Sequence, residues 1–130
     1  MALAESLKIY HDASCMLDML YRQLERFPRF YRYTIGERMV GLTIDILGQI
    51  IHANRQADKT EALTKLADMI FLLTTLFRSC VNNKAIPMKQ YAPFAQLLVS
   101  LGKQATAWKN YSEGKAKKTG QNSPGQGLGK

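Results

Sequence analysis

Phe27-Pro28-Arg29-Phe30-Tyr31-Arg32-Tyr33-Thr34-Ile35-Gly36-Glu37-Arg38 joins two long amphipathic segments, and its reading decides the fold. Pro28 disfavours a helical conformation at Phe27, so the first helix ends before it. Thr34 and Glu37 have the spacing of a capping box, with the hydroxyl at the N-cap and the carboxylate three residues on. The stretch therefore predicts a helix stop, a short basic and aromatic loop, and a helix start. Its only acid, Glu37, has a structural use, so Arg29, Arg32 and Arg38 form a cationic, stackable surface at one end of a helical domain.

Working outward, the preceding segment (4–26) repeats apolar residues at three- and four-residue steps: Leu7, Tyr10, Ser14, Leu17, Tyr21 and Leu24. That is one face of a helix. The following segment (35–55) carries Ile35, Met39, Leu42, Ile46, Ile50 and Ala53. Gly36, Gly41 and Gly48 each weaken that helix by up to about 1 kcal/mol relative to alanine. They mark either a close approach of neighbouring backbones or tolerated losses.

A third segment starts at Asp58, with Glu61 at capping-box distance. Its stripe is Leu63, Leu66, Ile70, Leu73, Phe77 and Val81, widened by Met69, Leu72 and Leu76. So broad a stripe predicts deep burial or a face that meets another subunit. After a turn at 82–87, a fourth segment carries Tyr91, Phe94, Leu98, Leu101, Ala105 and Trp108. Pro93 predicts a kink or a late start there. From about Ser112 the chain is Gly, Lys, Gln, Ser and Pro, a composition that predicts disorder. The expected architecture is all-α: an antiparallel up-down-up-down four-helix bundle over 1–111 and a disordered basic tail over 112–130.

The chain has 130 residues, 46% of them hydrophobic, with net charge +8. That length and composition suit one domain with a sizeable core. The charge favours an anionic partner, most often nucleic acid; the plainer alternative is a protein that is simply basic. The tail holds Lys115, Lys117, Lys118 and Lys130 against Glu113, leaving most of the surplus in the body. Cys15 and Cys80 lie in separate apolar segments and read as buried free thiols. With no leader-like N-terminus and no apolar run of membrane length, a cytoplasmic protein is expected.

No catalytic constellation stands out. His11 and His52 are isolated, with no Glu-x-x-His pattern to signal a metal, and there is no phosphate-binding loop. An enzyme, a cofactor and a metal site are therefore not expected. Arg22, Arg26 and Arg29 are spaced four and three apart, and Arg32 and Arg38 follow. Arginine pairs bidentately with phosphate and stacks on bases. Phe30, Tyr31 and Tyr33 interleave with these arginines, as expected for contacts to single-stranded nucleic acid. The competing reading is a solvated arginine face with the aromatics packed over the bundle end. Arg78, within the third segment, either snorkels to the surface or reaches a partner.

The order Glu25-Arg26-Phe27-Pro28-Arg29 through Arg32-Tyr33-Thr34-Ile35-Gly36-Glu37-Arg38, then Lys89-Gln90-Tyr91, then Leu101-Gly102-Lys103 to Trp108-Lys109, resembles the accessory variability determinant family of diversity-generating retroelements. That family is in turn similar to small bundles encoded within ribosomal RNA intervening sequences. The resemblance spans about residues 5–110. It implies an antiparallel four-helix bundle assembled as a homopentameric barrel with a positive surface. It also implies binding to nucleic acid, RNA or DNA, and to a reverse transcriptase that copies a template RNA with adenine-directed errors. The accessory protein itself does no chemistry. Arg29, Arg32, Arg38 and Arg78 carry over as contacts. Thr74 stands where the family often has a second arginine, and Lys103 where arginine is common. With Arg22, Arg26 and Lys109, these residues make up the expected nucleic-acid and partner surface. The alternative function is a structural bundle that binds protein partners only. Phosphate binding weakens steeply with salt, and an apolar protein contact does not.

Overall fold

The computed structural model describes residues 3–121, with side chains to Lys115. Four long helices follow one another: the first Lys8–Leu24, the second Glu37–Arg55, the third Thr60–Asn82 and the fourth Met88–Gln121. No strand occurs among the described residues. Each helix packs beside the next, and the first closes the ring against the fourth.

Side chains that bridge the helices show their directions. Gln23, near the end of the first helix, donates to Gln90, near the start of the fourth, at 2.6 Å. Asp12, near the start of the first, accepts from Gln104 at 2.7 Å. Cys80 meets Met39 at 3.5 Å, whereas Gln49 donates to the Ala62 carbonyl at 2.9 Å. Both pairs of helices are antiparallel, which is the expected four-helix bundle.

The core stripes of the second, third and fourth helices are those the periodicity predicts: Met39, Ile46 and Ile50; Leu63, Leu66, Leu73 and Phe77; Phe94, Leu98, Leu101 and Ala105. Burying each large side chain contributes roughly 1.5–3 kcal/mol. The first helix differs. Its buried face is Ile9, Ala13, Met16 and Leu20, not the predicted Leu7, Tyr10, Leu17 and Tyr21. Two apolar stripes run side by side on this helix. The inner one carries no hydroxyl, and its one buried polar side chain, Gln23, is bonded to Gln90, whereas a buried tyrosine needs a partner for its hydroxyl. Tyr21 stays 49% exposed, and Leu7, Tyr10 and Leu24 pack only on the edge of the core.

The helix ends also correct two expectations. Asp58 accepts the Thr60 N–H at 3.1 Å, but Glu61 does not complete a capping box, and the third helix begins at Thr60. Lys59 instead donates to the carbonyls of Asn54 and Gln56, closing the second helix. The third helix ends in a tight turn with Lys84 at φ 61°, where the Ala85 N–H reaches the Cys80 carbonyl at 2.8 Å. Pro87 starts the fourth helix, its carbonyl accepting from Gln90 and Tyr91. Pro93 does not delay that start. It lies on the exposed face, where its missing N–H forfeits only one backbone bond.

The fourth helix continues to Gln121, into the stretch whose composition predicts disorder. Extending an existing helix avoids the cost of nucleation and adds one bond per residue fixed. The rest of the predicted tail, 122–130, lies outside the described residues.

Candidate nucleic-acid interface

Residues 27–38 are not a loop. Phe27 is buried, 2% exposed, and anchors the corner. Pro28 then caps a new helical stretch: its carbonyl accepts from the N–H groups of Tyr31 and Arg32, both at 3.0 Å. Proline suits this position because its missing N–H would have no helical partner. An α-helical turn, Arg29–Tyr31, passes into a π-helical turn, Arg32–Gly36, and then into the second helix. The predicted capping box therefore does not form. The Glu37 N–H is already bonded to the Thr34 carbonyl. The Thr34 hydroxyl turns back to the Phe30 carbonyl at 2.7 Å, the usual bond of a threonine inside a helix.

Gly36 explains how this wide turn sits so close to the first helix. A Cβ there would lie 2.8 Å from Leu24 Cδ2 and 3.0 Å from the Tyr31 carbonyl oxygen. At Gly41 and Gly48 an added Cβ meets nothing within 4 Å. Of the two readings of the three glycines, close approach holds for Gly36 alone.

Arg32 has a structural task. Its Nε donates to the Leu24 carbonyl at 3.0 Å, and its Nη2 donates to those of Glu25 at 2.9 Å and Phe27 at 3.4 Å. These carbonyls lie at and just past the end of the first helix, where helical partners run out; that of Leu24 also accepts the Phe27 N–H at 3.1 Å. The same guanidinium lies 5.9 Å from the centre of the Tyr33 ring. Sequence spacing groups Arg32 with its neighbours as a contact residue; the structure makes it the clamp that holds the corner.

Arg22, Arg26, Arg29, Arg38 and Arg78 are all exposed, and no carboxylate lies within ion-pair distance of them among the described residues. The antiparallel topology brings the end of the first helix, the start of the second, the end of the third and the start of the fourth to one end of the bundle. Residues 22–38 and 78–90 meet there, with Glu25 and Glu37 as their only acids. Two cations that sequence reasoning missed join them. Lys84 is presented by the left-handed turn, and Lys89 rims a cleft of about 380 Å³ with Arg22 and Arg26, above Gln23 and Phe94. The signal for both was their place beside the turn into the fourth helix, which pairs with the end of the first. Lys103 and Lys109 lie elsewhere. Lys103 lines a groove of about 560 Å³ beside Ala67, Ile70 and Phe71, and Lys109 is 4.0 Å from Glu113.

The aromatics separate as well. Tyr31 packs against the core, edge-on to Phe30 with ring centres 5.2 Å apart. Phe30 and Tyr33 stay 70% and 57% exposed. Away from this end, the Asp12 carboxyl is held below its ordinary range. Burial pushes it up, but hydrogen bonds from Lys8 and Gln104, with the charges of Lys8 and His11, outweigh that. Burial raises the Cys80 thiol to about 11, so it is inert, while Cys15 is half-buried and 3.5 Å from His11. Among the described residues no three or more of His, Cys, Asp and Glu gather as a metal site, and no helix is long and apolar enough to cross a membrane.

A family model described as bAvd-like matches residues 8–112, from the start of the first helix to beyond Trp108. The chain belongs to the bAvd-like family. Accessory variability determinants are accessory, non-catalytic proteins of diversity-generating retroelements. The match covers the first three helices, the arginine-rich corner and the fourth helix as far as residue 112. No curated protein and no solved structure matches the chain.

Proposed function

We propose that this bAvd-like protein binds nucleic acid through its basic end and brings it to the reverse transcriptase of a diversity-generating retroelement, without performing chemistry. The observation that carries this reading is the cluster of Arg22, Arg26, Arg29, Arg38 and Arg78, exposed and without ion-pair partners among the described residues. Unpaired guanidinium groups on a rigid frame are suited to phosphate, which they bind bidentately.

Assembly with further copies, as a pentamer, belongs to the same proposal. Phe71, Leu72 and Val99 leave an apolar surface on the third and fourth helices, 69%, 43% and 57% exposed. Repetition around a ring would multiply the basic ends and so the avidity for a long strand. Two cysteines without a disulfide accord with action in the cytoplasm.

Light scattering at micromolar concentration is expected to give several times the chain mass, and a clean monomer contradicts the ring. Co-purification with a reverse transcriptase encoded beside it tests the partner. Binding of the partner without salt-sensitive binding of RNA or DNA would favour a bundle for protein contacts only.

A further inference from the structure

We infer that the corner between the first and second helices recognises unpaired nucleic acid by stacking bases on Phe30 and Tyr33. This rests on the proposed nucleic-acid role and specifies the strand form that role requires. Three aromatics follow Pro28, and only Tyr31 turns inward to the core. Phe27 already fills the corner, so neither Phe30 nor Tyr33 is needed to cover the bundle end.

Both rings are held on an immobilised backbone. Arg32 fastens it to three carbonyls, and the Thr34 hydroxyl fastens it to the Phe30 carbonyl. Arg32 also lies against the Tyr33 ring. A ring so placed loses little freedom when a base stacks on it. Arg29, adjacent to Phe30, is exposed and unpaired, and so is Arg38 on the next turns. Exposed rings flanked by cations outside ion pairs fit a strand whose phosphates and base faces are both accessible. In a duplex the base faces are stacked on each other and closed to these rings. A protein partner is the alternative occupant for such rings, but the surrounding positive charge favours the polyanion.

The test compares three probes with the full chain: a short labelled oligothymidylate, an abasic strand of the same length, and oligothymidylate annealed to oligoadenylate. The unpaired strand is expected to bind more tightly than the abasic strand, by roughly ten-fold or more if at least one base stacks. The duplex should follow the abasic strand. The variant Phe30→Leu with Tyr33→Leu should bind all three alike, with circular dichroism unchanged. Equal binding of the three probes by the unaltered protein would overturn the stacking inference and leave the phosphate role standing, whatever the variant does. Absence of salt-sensitive binding to any probe would overturn both.

Discussion

At one end of the bundle Arg32 closes the first helix by donating to the carbonyls of Leu24, Glu25 and Phe27; at the other, Lys59 closes the second by donating to those of Asn54 and Gln56. The same device serves both ends, and the difference lies in what remains around it. The ion pairs Lys8–Asp12 and Lys109–Glu113 lie toward the Lys59 end. At the Arg32 end five arginines have no carboxylate within ion-pair distance among the described residues, although Glu25 and Glu37 lie in the same stretch, and two aromatic rings stand outside the core. One end pairs part of its charge within the fold, and the other leaves its arginines exposed and outside ion pairs among the described residues.

Removing the two clamps is the strongest way to break this comparison. Arg32→Ala should destabilise the bundle by about 2 kcal/mol, since bonds from a charged donor contribute roughly 1.5–3 kcal/mol and these are partly exposed. Lys59→Ala should cost less, about 1 kcal/mol, because its ammonium makes fewer bonds. Urea denaturation of the two variants measures both. An equal, negligible loss would mean that neither cation holds its helix end.

Next in size is a contrast between glycines. Gly36→Ala forces Cβ against Leu24 and the Tyr31 carbonyl and should cost about 1–2 kcal/mol despite the better helix propensity. Gly48→Ala meets open space and should stabilise by about 0.5–1 kcal/mol. Melting curves with opposite shifts sharpen the claim that only Gly36 is held in a close approach. Shifts of the same sign would remove that distinction.

Smallest of all should be truncation after Tyr111. Among the described residues the last buried core residue is Ala105, with Trp108 packed at its edge, so the described stretch beyond Tyr111 supplies no core residue. The exposed Lys109–Glu113 pair contributes at most about 0.5 kcal/mol. The melting temperature should hardly change, while helical content falls by the turns removed. A large drop in stability would show that the end of the chain packs on the bundle.

The fold was legible in the sequence because three of four helices bury the stripe that their periodicity marks. The first helix was not, because two apolar stripes lie side by side and only the polar demands of Tyr10 and Tyr21 separate them. At the basic corner the residues were legible and their division of labour was not. Arg29 and Arg32 look alike in sequence, and only the three-dimensional position of the first helix's last carbonyls turns one of them inward. Thr34 and Glu37 matched a capping box that the helix had already made unnecessary by starting at Arg29. Lys84 and Lys89 join the site only through the antiparallel return of the fourth helix.

The most direct test is nucleic-acid affinity measured across salt concentrations for the unaltered protein and for a variant carrying Arg29→Ala, Arg38→Ala and Arg78→Ala. Arg32 is excluded because its loss would act through stability, and Lys65→Ala, an exposed lysine near the opposite end of the third helix, is the control. The slope of log affinity against log salt should flatten by roughly 0.7–0.9 for each lost phosphate contact, and more where copies in a ring act together. Circular dichroism should stay unchanged, and the control should match the unaltered protein. A folded triple variant with the same affinity and the same slope would contradict the assignment of the basic end to nucleic acid.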